Sequence, residues 1–246
     1  MSAPKALWWR QSIWELGLNL RNGEQLLLVV VIPVAVFIAA TTTSLLPSLA
    51  SSPARALGTV LTISVLASAF TSVAISTAFE RRSGALLYMS TTPLGRLDVV
   101  SAKVIATLMT VVISCVAVLV AALALEPGEI TKSAGSFLLT LAMVILGTTV
   151  CASWALFLAS TVRAEAVLAL ANALFVVFLL FGGVLVPLDQ LPSVWADVAG
   201  FFFPGALAEV LVSSVETGGV SLRPVIVVAL WAAAGITLSV RAFRWR

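Results

Sequence analysis

Six long apolar runs follow one another along the chain, and the segments between them hold most of the charged residues. The runs are Gln25–Ala54, Ala56–Phe79, Val104–Leu125, Ser133–Val162, Ala166–Leu188 and Pro224–Val240. An α-helix needs about 17–25 residues to cross the hydrocarbon core of a bilayer, whereas the strands of a membrane β-barrel alternate over about ten residues. The pattern therefore predicts an all-α integral membrane protein in which residues 1–246 form a single domain with six transmembrane helices.

Residues 5–22 precede the first run and predict a helix that lies in the membrane interface rather than crossing the bilayer. The apolar face of this helix carries Trp9, Ile13, Leu16 and Leu20. Another face carries Arg10, Gln11, Glu15 and Asn19. An aromatic apolar face opposite a charged face is typical of helices that lie along a bilayer surface.

Lysine and arginine are unevenly distributed over the two sides that six crossings would create. Eleven of the 14 fall on the side of the two termini, and the other three are Arg55, Lys132 and Arg223. Because positively charged loops tend to stay in the cytoplasm, both termini are expected to be cytoplasmic. The net charge of +3 then reflects topology, and no nucleic-acid partner is needed to explain it.

The longest connection between runs, residues 189–223, lies on the outer side in this topology. It is too apolar for a free loop and too often interrupted for a full span. Two short helices that dip into the outer leaflet fit it best, with breaks at Pro192 and at Pro204–Gly205. Non-helical backbone at membrane depth must be covered by protein or line a cavity.

A few polar side chains fall inside the predicted spans, and two interpretations are open for them. Serines recur at a spacing of four in the second span, at Ser64, Ser68, Ser72 and Ser76. Such a stripe either lets helices pack closely or lines a polar pathway. Asn172 in the fifth span is costly to place in lipid, so we expect it to contact either another helix or a substrate.

Few residues offer catalytic or metal chemistry. The chain has no histidine, and its two cysteines, Cys115 and Cys151, fall inside predicted spans. The nearest approach to a phosphate-binding loop, residues 128–133, has Thr131 where the motif requires glycine. The sequence therefore predicts no catalytic residue and no metal site, and it indicates that this chain does not hydrolyse ATP through a phosphate-binding loop of that kind.

Residues 80–103 combine six charges with the short apolar stretch Ala-Leu-Leu-Tyr-Met. The charges would keep this segment out of the bilayer, while its leucines need a partner. Its distinctive positions are Glu80, Arg81, Arg82, Gly84, Leu86, Thr92, Pro93 and Lys103. This arrangement resembles the cytoplasmic segment that joins the second and third spans of ABC-2 type permeases, although Ala102 stands where a glycine often precedes the lysine.

Two further stretches carry the same resemblance. "FGGVLVPLDQLPSVWADVAGFFFPGALAEVL", residues 181–211, is similar to the Gly–Pro–Leu-Pro–Pro signature before the last span of that family. "NLRNGEQLLLVVVIPV", residues 19–34, resembles the Arg-Asn entry into the first span, with Gly23 where proline is frequent. The three motifs occur in the order of the family and cover nearly the whole chain.

The resemblance implies a permease subunit of an ATP-binding cassette exporter in a bacterial inner membrane. A second permease chain, identical or related, would complete the pathway, and two separate ATPase subunits would bind ATP and Mg²⁺, so this chain would be no enzyme and would bind no cofactor. The expected ATPase-coupling residues are Glu80, Arg81, Arg82, Gly84, Leu86, Leu87, Met89, Pro93 and Arg96. The expected outer gate consists of Pro187, Pro192, Pro204 and Glu209.

The alternative function is that of a stand-alone ion-coupled carrier or channel. Carriers of that kind usually show internal repeats and charged residues inside the membrane, and the sequence shows neither. The uncharged spans also favour an amphipathic or lipid-like substrate, such as a drug, a natural product or a glycolipid. An ATPase that co-purifies with the chain would discriminate between the two functions.

Overall fold

The computed structural model describes residues 7–42, 52–125 and 134–243, and the regular elements in these ranges are all helical. The α-helices are α1 (Leu7–Arg21), α2 (Gly23–Leu26), α3 (Ile32–Thr42), α4 (Pro53–Val65), α5 (Val73–Ser83), α6 (Ala85–Met89), α7 (Arg96–Leu125), α8 (Ala134–Thr161), α9 (Ala164–Phe181), α10 (Ser193–Phe201), α11 (Phe203–Glu216) and α12 (Leu222–Ala242). Two π-helical segments, Leu27–Val31 and Leu66–Ser72, join α2 to α3 and α4 to α5. A 3₁₀ turn, Leu188–Gln190, precedes α10.

Five helices in the described ranges are long and apolar enough to cross a membrane. They are Pro53–Ser83, Arg96–Leu125, Gly135–Thr161, Ala164–Phe181 and Leu222–Ala242. The bent pair of α10 and α11 would make a sixth if the two helices were counted as one span. The predicted all-α integral membrane protein is therefore confirmed.

The first two predicted runs differ in detail from the structure. The apolar helix of the first run, Val29–Thr42, is shorter than a full span and overlaps a π-helical segment, while residues 43–51 of that run lie outside the described ranges. The second span begins at Pro53, three residues before the apolar run that predicts it. Ser52 Oγ accepts a hydrogen bond from the Arg55 N–H at 3.1 Å, and a capping serine followed by proline is a strong helix start.

The second span, Pro53–Ser83, forms the centre of the bundle, and 72% of its most apolar window is buried. Helices α3, α7, α8, α9 and α11 all pack against it. Gly58 lets α4 and α11 approach closely, because a Cβ at that position would lie 2.6 Å from Val212 Cα. Small residues at helix crossings allow such backbone contact.

The bundle has two ends, which we name the α1 end and the α11 end after the helices that meet there. At the α1 end, α1 lies beside the end of α5 and the beginning of α7. The end of α5 in turn contacts the junction of α8 with α9 through Arg81 and Arg82. At the α11 end, the beginning of α4 meets the end of α11, where Arg55 forms an ion pair with Glu216. The topology predicted from basic residues would place the α1 end in the cytoplasm.

Helices α10 and α11 meet at an angle of 89°. Phe202 between them is extended, Pro192 directly precedes α10, and Pro204 lies in the first turn of α11. Gly205 packs tightly against α10, because a Cβ there would lie 2.3 Å from the Ala199 carbonyl oxygen. The two predicted short helices are present, and the break falls at Phe202 because a helix accepts proline in its first turn.

Candidate functional site

A buried ion-pair cluster joins three helices at the α1 end. Lys103 of α7 places its Nζ 3.0 Å from Glu15 Oε2 of α1 and 2.7 Å from Glu80 Oε2 of α5. The Lys103 side chain is only 4% exposed. Buried charges are costly unless they are paired and hydrogen-bonded, and here both carboxylates contact the one ammonium. The cluster therefore fixes α1 to the end of the second span and to the beginning of the third.

This cluster corrects the expectation that the bundle holds no buried charge. Lys103 lies in the first turns of the long apolar helix α7, and Glu80 lies in the last turn of α5, so both looked like residues at the edges of spans. The Lys103 ammonium donates hydrogen bonds to both Glu15 of α1 and Glu80 of α5. The Lys103 and Glu15 charges are thus paired away from water, whereas the Glu80 side chain stays partly exposed.

Helix α1 turns its polar face towards the protein. Ser12 and Glu15 are buried, with Glu15 against α7, and Arg10 is exposed. The predicted apolar face points away from the bundle, since Leu16 is half-buried and its other members are exposed: Trp9, Ile13 and Leu20. An outward apolar face on a helix beside the spans is what the membrane interface requires.

The connection from α5 to α7 turns at Gly84, whose φ is +80°, a conformation that glycine adopts without strain. In the short helix α6 that follows, Leu86 is 1% exposed and belongs to the core, whereas Leu87 is 41% exposed and Tyr88 is 76% exposed. Gln11 of α1 donates a hydrogen bond to Met89 Sδ at 3.9 Å. Helix α6 therefore buries Leu86 in the core, contacts α1 through Met89 and presents Leu87 and Tyr88 outwards.

The two arginines before Gly84 bind the next connection at the same end of the bundle. The Arg81 guanidinium donates to the Val162 carbonyl oxygen, which lies just after α8. Arg82 forms an ion pair with Glu165 of α9 at 2.9 Å, and both side chains are largely exposed. Arg81 therefore takes part in holding the bundle together, whereas Arg82 lies at its surface.

The remaining predicted coupling residues lie in the turn that leads into α7. Pro93 and Arg96 are both exposed. The turn is closed by the Gly95 N–H, which donates to Asp98 Oδ2 at 2.8 Å. Arg96 is consequently available to a partner at the very start of α7.

The serine stripe divides into two parts. Ser64 is buried and donates to the Val60 carbonyl oxygen at 2.8 Å, so its role is helix packing. The other three border a polar cavity of about 10 Å³ beside the ion-pair cluster, which has room for about one water molecule. The cavity lining includes Ser68, Ser72, Ser76, Thr77, Thr107, Glu15 and Lys103.

Asn172 lies on the exposed face of α9, and its amide donates to the Leu168 carbonyl oxygen of the same helix at 3.0 Å.

The predicted gate residues lie at the α11 end in different settings. Pro204 is buried in the bent pair and Pro192 is exposed. Pro187 and Glu209 border a larger cavity of about 340 Å³.

Two features of the α1 end are not evident from the sequence. Glu15 and Lys103 are 88 residues apart, so no local pattern pairs them. The one sequence signal that could have pointed to a buried charge was Lys103, which directly precedes the long apolar run Val104–Leu125. The other feature is the exposure of Tyr88, which is the most exposed of the large hydrophobic side chains of α6. The enrichment of aromatic residues at protein interfaces is a signal that could have pointed to it.

Metal chemistry has little support in the described ranges, where no group of three or more histidine, cysteine, aspartate or glutamate residues could hold an ion. Cys115 and Cys151 are free thiols within α7 and α8. What the α1 end does offer is an exposed surface on α6, next to the paired charges that join α1, α5 and α7.

Comparison with known families agrees with this architecture. The family model that describes the ABC-2 type transporter matches residues 4–216, which run from the start of α1 to the end of α11 and so include the ion-pair cluster, α6 and the bent pair. No curated protein matches the chain. The family match covers well over half of the 246 residues, and the chain therefore belongs to the ABC-2 type transporter family as a membrane-spanning permease.

Proposed function

We propose that this permease is half of an ATP-binding cassette exporter that moves an amphipathic or lipid-like substrate outwards. Two copies of a separate ATPase hydrolyse Mg²⁺-bound ATP and drive the cycle from the cytoplasm. The observation that carries the proposal is the exposed pair Leu87 and Tyr88 on α6. An apolar patch on a short helix flanked by charges is suited to a groove in a soluble partner.

The ion-pair cluster supports a coupling role for α6. Glu80 precedes α6 by one short turn, and Lys103 connects Glu80 to Glu15 of α1. A displacement of α6 by the ATPase would therefore move the end of α5, the start of α7 and α1 together. Close-packed and ion-paired elements shift as units instead of deforming, so the force would reach the transmembrane helices.

A second permease chain, identical or related, is also part of the proposal. Only 17% of the apolar window of α9 is buried, and 28% of that of α7. These two helices present broad outward surfaces that lipid or a second chain can cover. Asn172 lies on the outward surface of α9, so a second chain packed there would satisfy the remaining hydrogen-bonding capacity of its amide.

Co-expression with a candidate ABC-type ATPase tests the proposal directly. We expect the two proteins to co-purify, and proteoliposomes that contain both to move a fluorescent amphiphile in an ATP-dependent manner. Transport by the permease alone, without any ATPase, would contradict the exporter function. An ATPase variant without its catalytic glutamate serves as the control for ATP dependence.

We further expect the α1 end to face the cytoplasm in bacterial inner membranes. In a background with both Cys115 and Cys151 replaced by serine, an impermeant thiol reagent should label Ser193→Cys and Gly219→Cys in intact cells. It should label Ser83→Cys and Gly95→Cys only after permeabilisation. Gly95 and Gly219 lie outside the helices, Ser83 is the last residue of α5, Ser193 is the first residue of α10, and all four are exposed. Labelling of Gly95→Cys in intact cells would reverse the proposed orientation.

A further inference from the structure

The cavity at the α11 end is built from three elements of different character. One wall is a face of α11 that carries Glu209, Val212, Ser213 and Glu216, which are spaced so that they line one side of a helix. A second wall is the segment between α9 and α10, with Val184, Leu185, Pro187 and Leu188. The third is the beginning of α4. The volume of about 340 Å³ lies within the range of small-molecule sites.

Among the residues that the structure describes, the charges that border this cavity do not balance. Arg55 and Glu216 neutralise each other in an ion pair at 3.5 Å. Glu209 also borders the cavity, is exposed, and makes no ion pair or hydrogen bond within the described ranges. The cavity therefore combines an apolar wall with one uncompensated carboxylate. A carboxylate next to low-dielectric walls attracts cations more strongly than one in open water does.

We propose that this cavity is a binding site for a monovalent organic cation with an apolar body, in which Glu209 contacts the positive group and the segment around Leu185 and Leu188 contacts the apolar part. An anion of the same shape would meet Glu209 with no unpaired cation among the described lining residues, and would bind less well. As an exit site for transported substrate this assignment rests on the proposed export function, whereas binding itself does not require the ATPase.

Tetraphenylphosphonium and tetraphenylborate test the proposal, because they share a shape and differ in the sign of their charge. Binding of each radiolabelled ion is measured to purified permease in nanodiscs without ATPase or ATP, and binding to empty nanodiscs is subtracted. We expect saturable binding of tetraphenylphosphonium and weaker binding of tetraphenylborate. Glu209→Gln keeps the shape of the side chain and should weaken binding of the cation about fivefold, equivalent to about 1 kcal/mol.

Two further variants make the result decisive. Asp197→Asn removes an exposed carboxylate from the neighbouring helix α10 that does not border the cavity, and it should leave binding unchanged. Val212→Trp fills the cavity and should abolish saturable binding of the cation. The proposal is overturned if the wild-type protein binds both ions alike or neither, if the Glu209 and Asp197 variants behave alike, or if Val212→Trp binds as the wild type does.

The outcome of this test is separable from that of the export function. If the ATPase co-purifies but the cation does not bind, the export function stands and only the assignment of the cavity falls. If the cation binds but no ATPase associates with the permease, the cavity stands and the exporter proposal falls.

Discussion

Leu87→Glu is expected to release the ATPase and to stop transport while leaving the permease folded in the membrane. Leu87 is 41% exposed on α6, so the change adds a carboxylate to the surface of the free permease. In the complex, the same change removes about 1.5–3 kcal/mol of apolar burial and adds a desolvation cost of several kcal/mol. A loss of about 100-fold or more in affinity follows, which co-purification of the ATPase and transport in proteoliposomes will both register.

Neighbouring residues provide matched controls for this prediction. Arg96→Ala removes an exposed charge and should weaken docking only modestly, because exposed ion pairs contribute about 0–1 kcal/mol. Leu86→Glu should instead lower the yield of folded permease, because Leu86 is 1% exposed within the core. Arg81 is a poorer control than Arg96, since its guanidinium contacts the Val162 carbonyl oxygen of the same chain. Full ATPase retention by folded Leu87→Glu would show that α6 is not the docking element.

Lys103→Met is expected to lower the free energy of unfolding by about 3–5 kcal/mol. The substitution keeps most of the side-chain volume, but it leaves the buried Glu15 and the half-buried Glu80 close together without their shared counter-charge. Unfolding of the purified permease in mixed micelles of dodecyl maltoside and dodecyl sulfate measures the change. Because Glu15 anchors α1 to this site, α1 should also become accessible to protease in the variant.

Two comparisons isolate the electrostatic origin of that loss. Arg82→Met breaks the Arg82–Glu165 ion pair, whose side chains are 59% and 66% exposed, and should change the free energy of unfolding by less than about 1 kcal/mol. Combining Lys103→Met with Glu15→Gln and Glu80→Gln removes all three charges and should recover most of the stability. Equal free energies of unfolding for Lys103→Met and Arg82→Met would mean that the ion-pair cluster stabilises the permease no more than an exposed ion pair does.

The membrane-spanning character of the chain follows from the sequence by itself. Uninterrupted apolar runs of about 20 residues can bury their backbone polar groups in lipid only as helices, so no tertiary information is needed to predict α7, α8, α9 and α12. Helix α1 could also be predicted from the sequence, because its apolar and polar residues separate onto two faces. The bent pair was predictable in outline, since prolines and glycines interrupt an apolar segment at defined positions.

The tertiary structure alone decided which residues of the candidate site face each other. Leu86 and Leu87 are adjacent and chemically identical, yet one is buried and the other exposed, because Gly84 turns the chain into a helix one turn long and only one side of that helix meets the bundle. Glu15, Glu80 and Lys103 come from three separate segments, and their pairing depends on how α1 packs against the spans. Apolar pattern is a local property of the chain and predicts which segments enter the membrane, whereas ion pairing and exposure at the ends of helices depend on contacts between residues far apart in sequence.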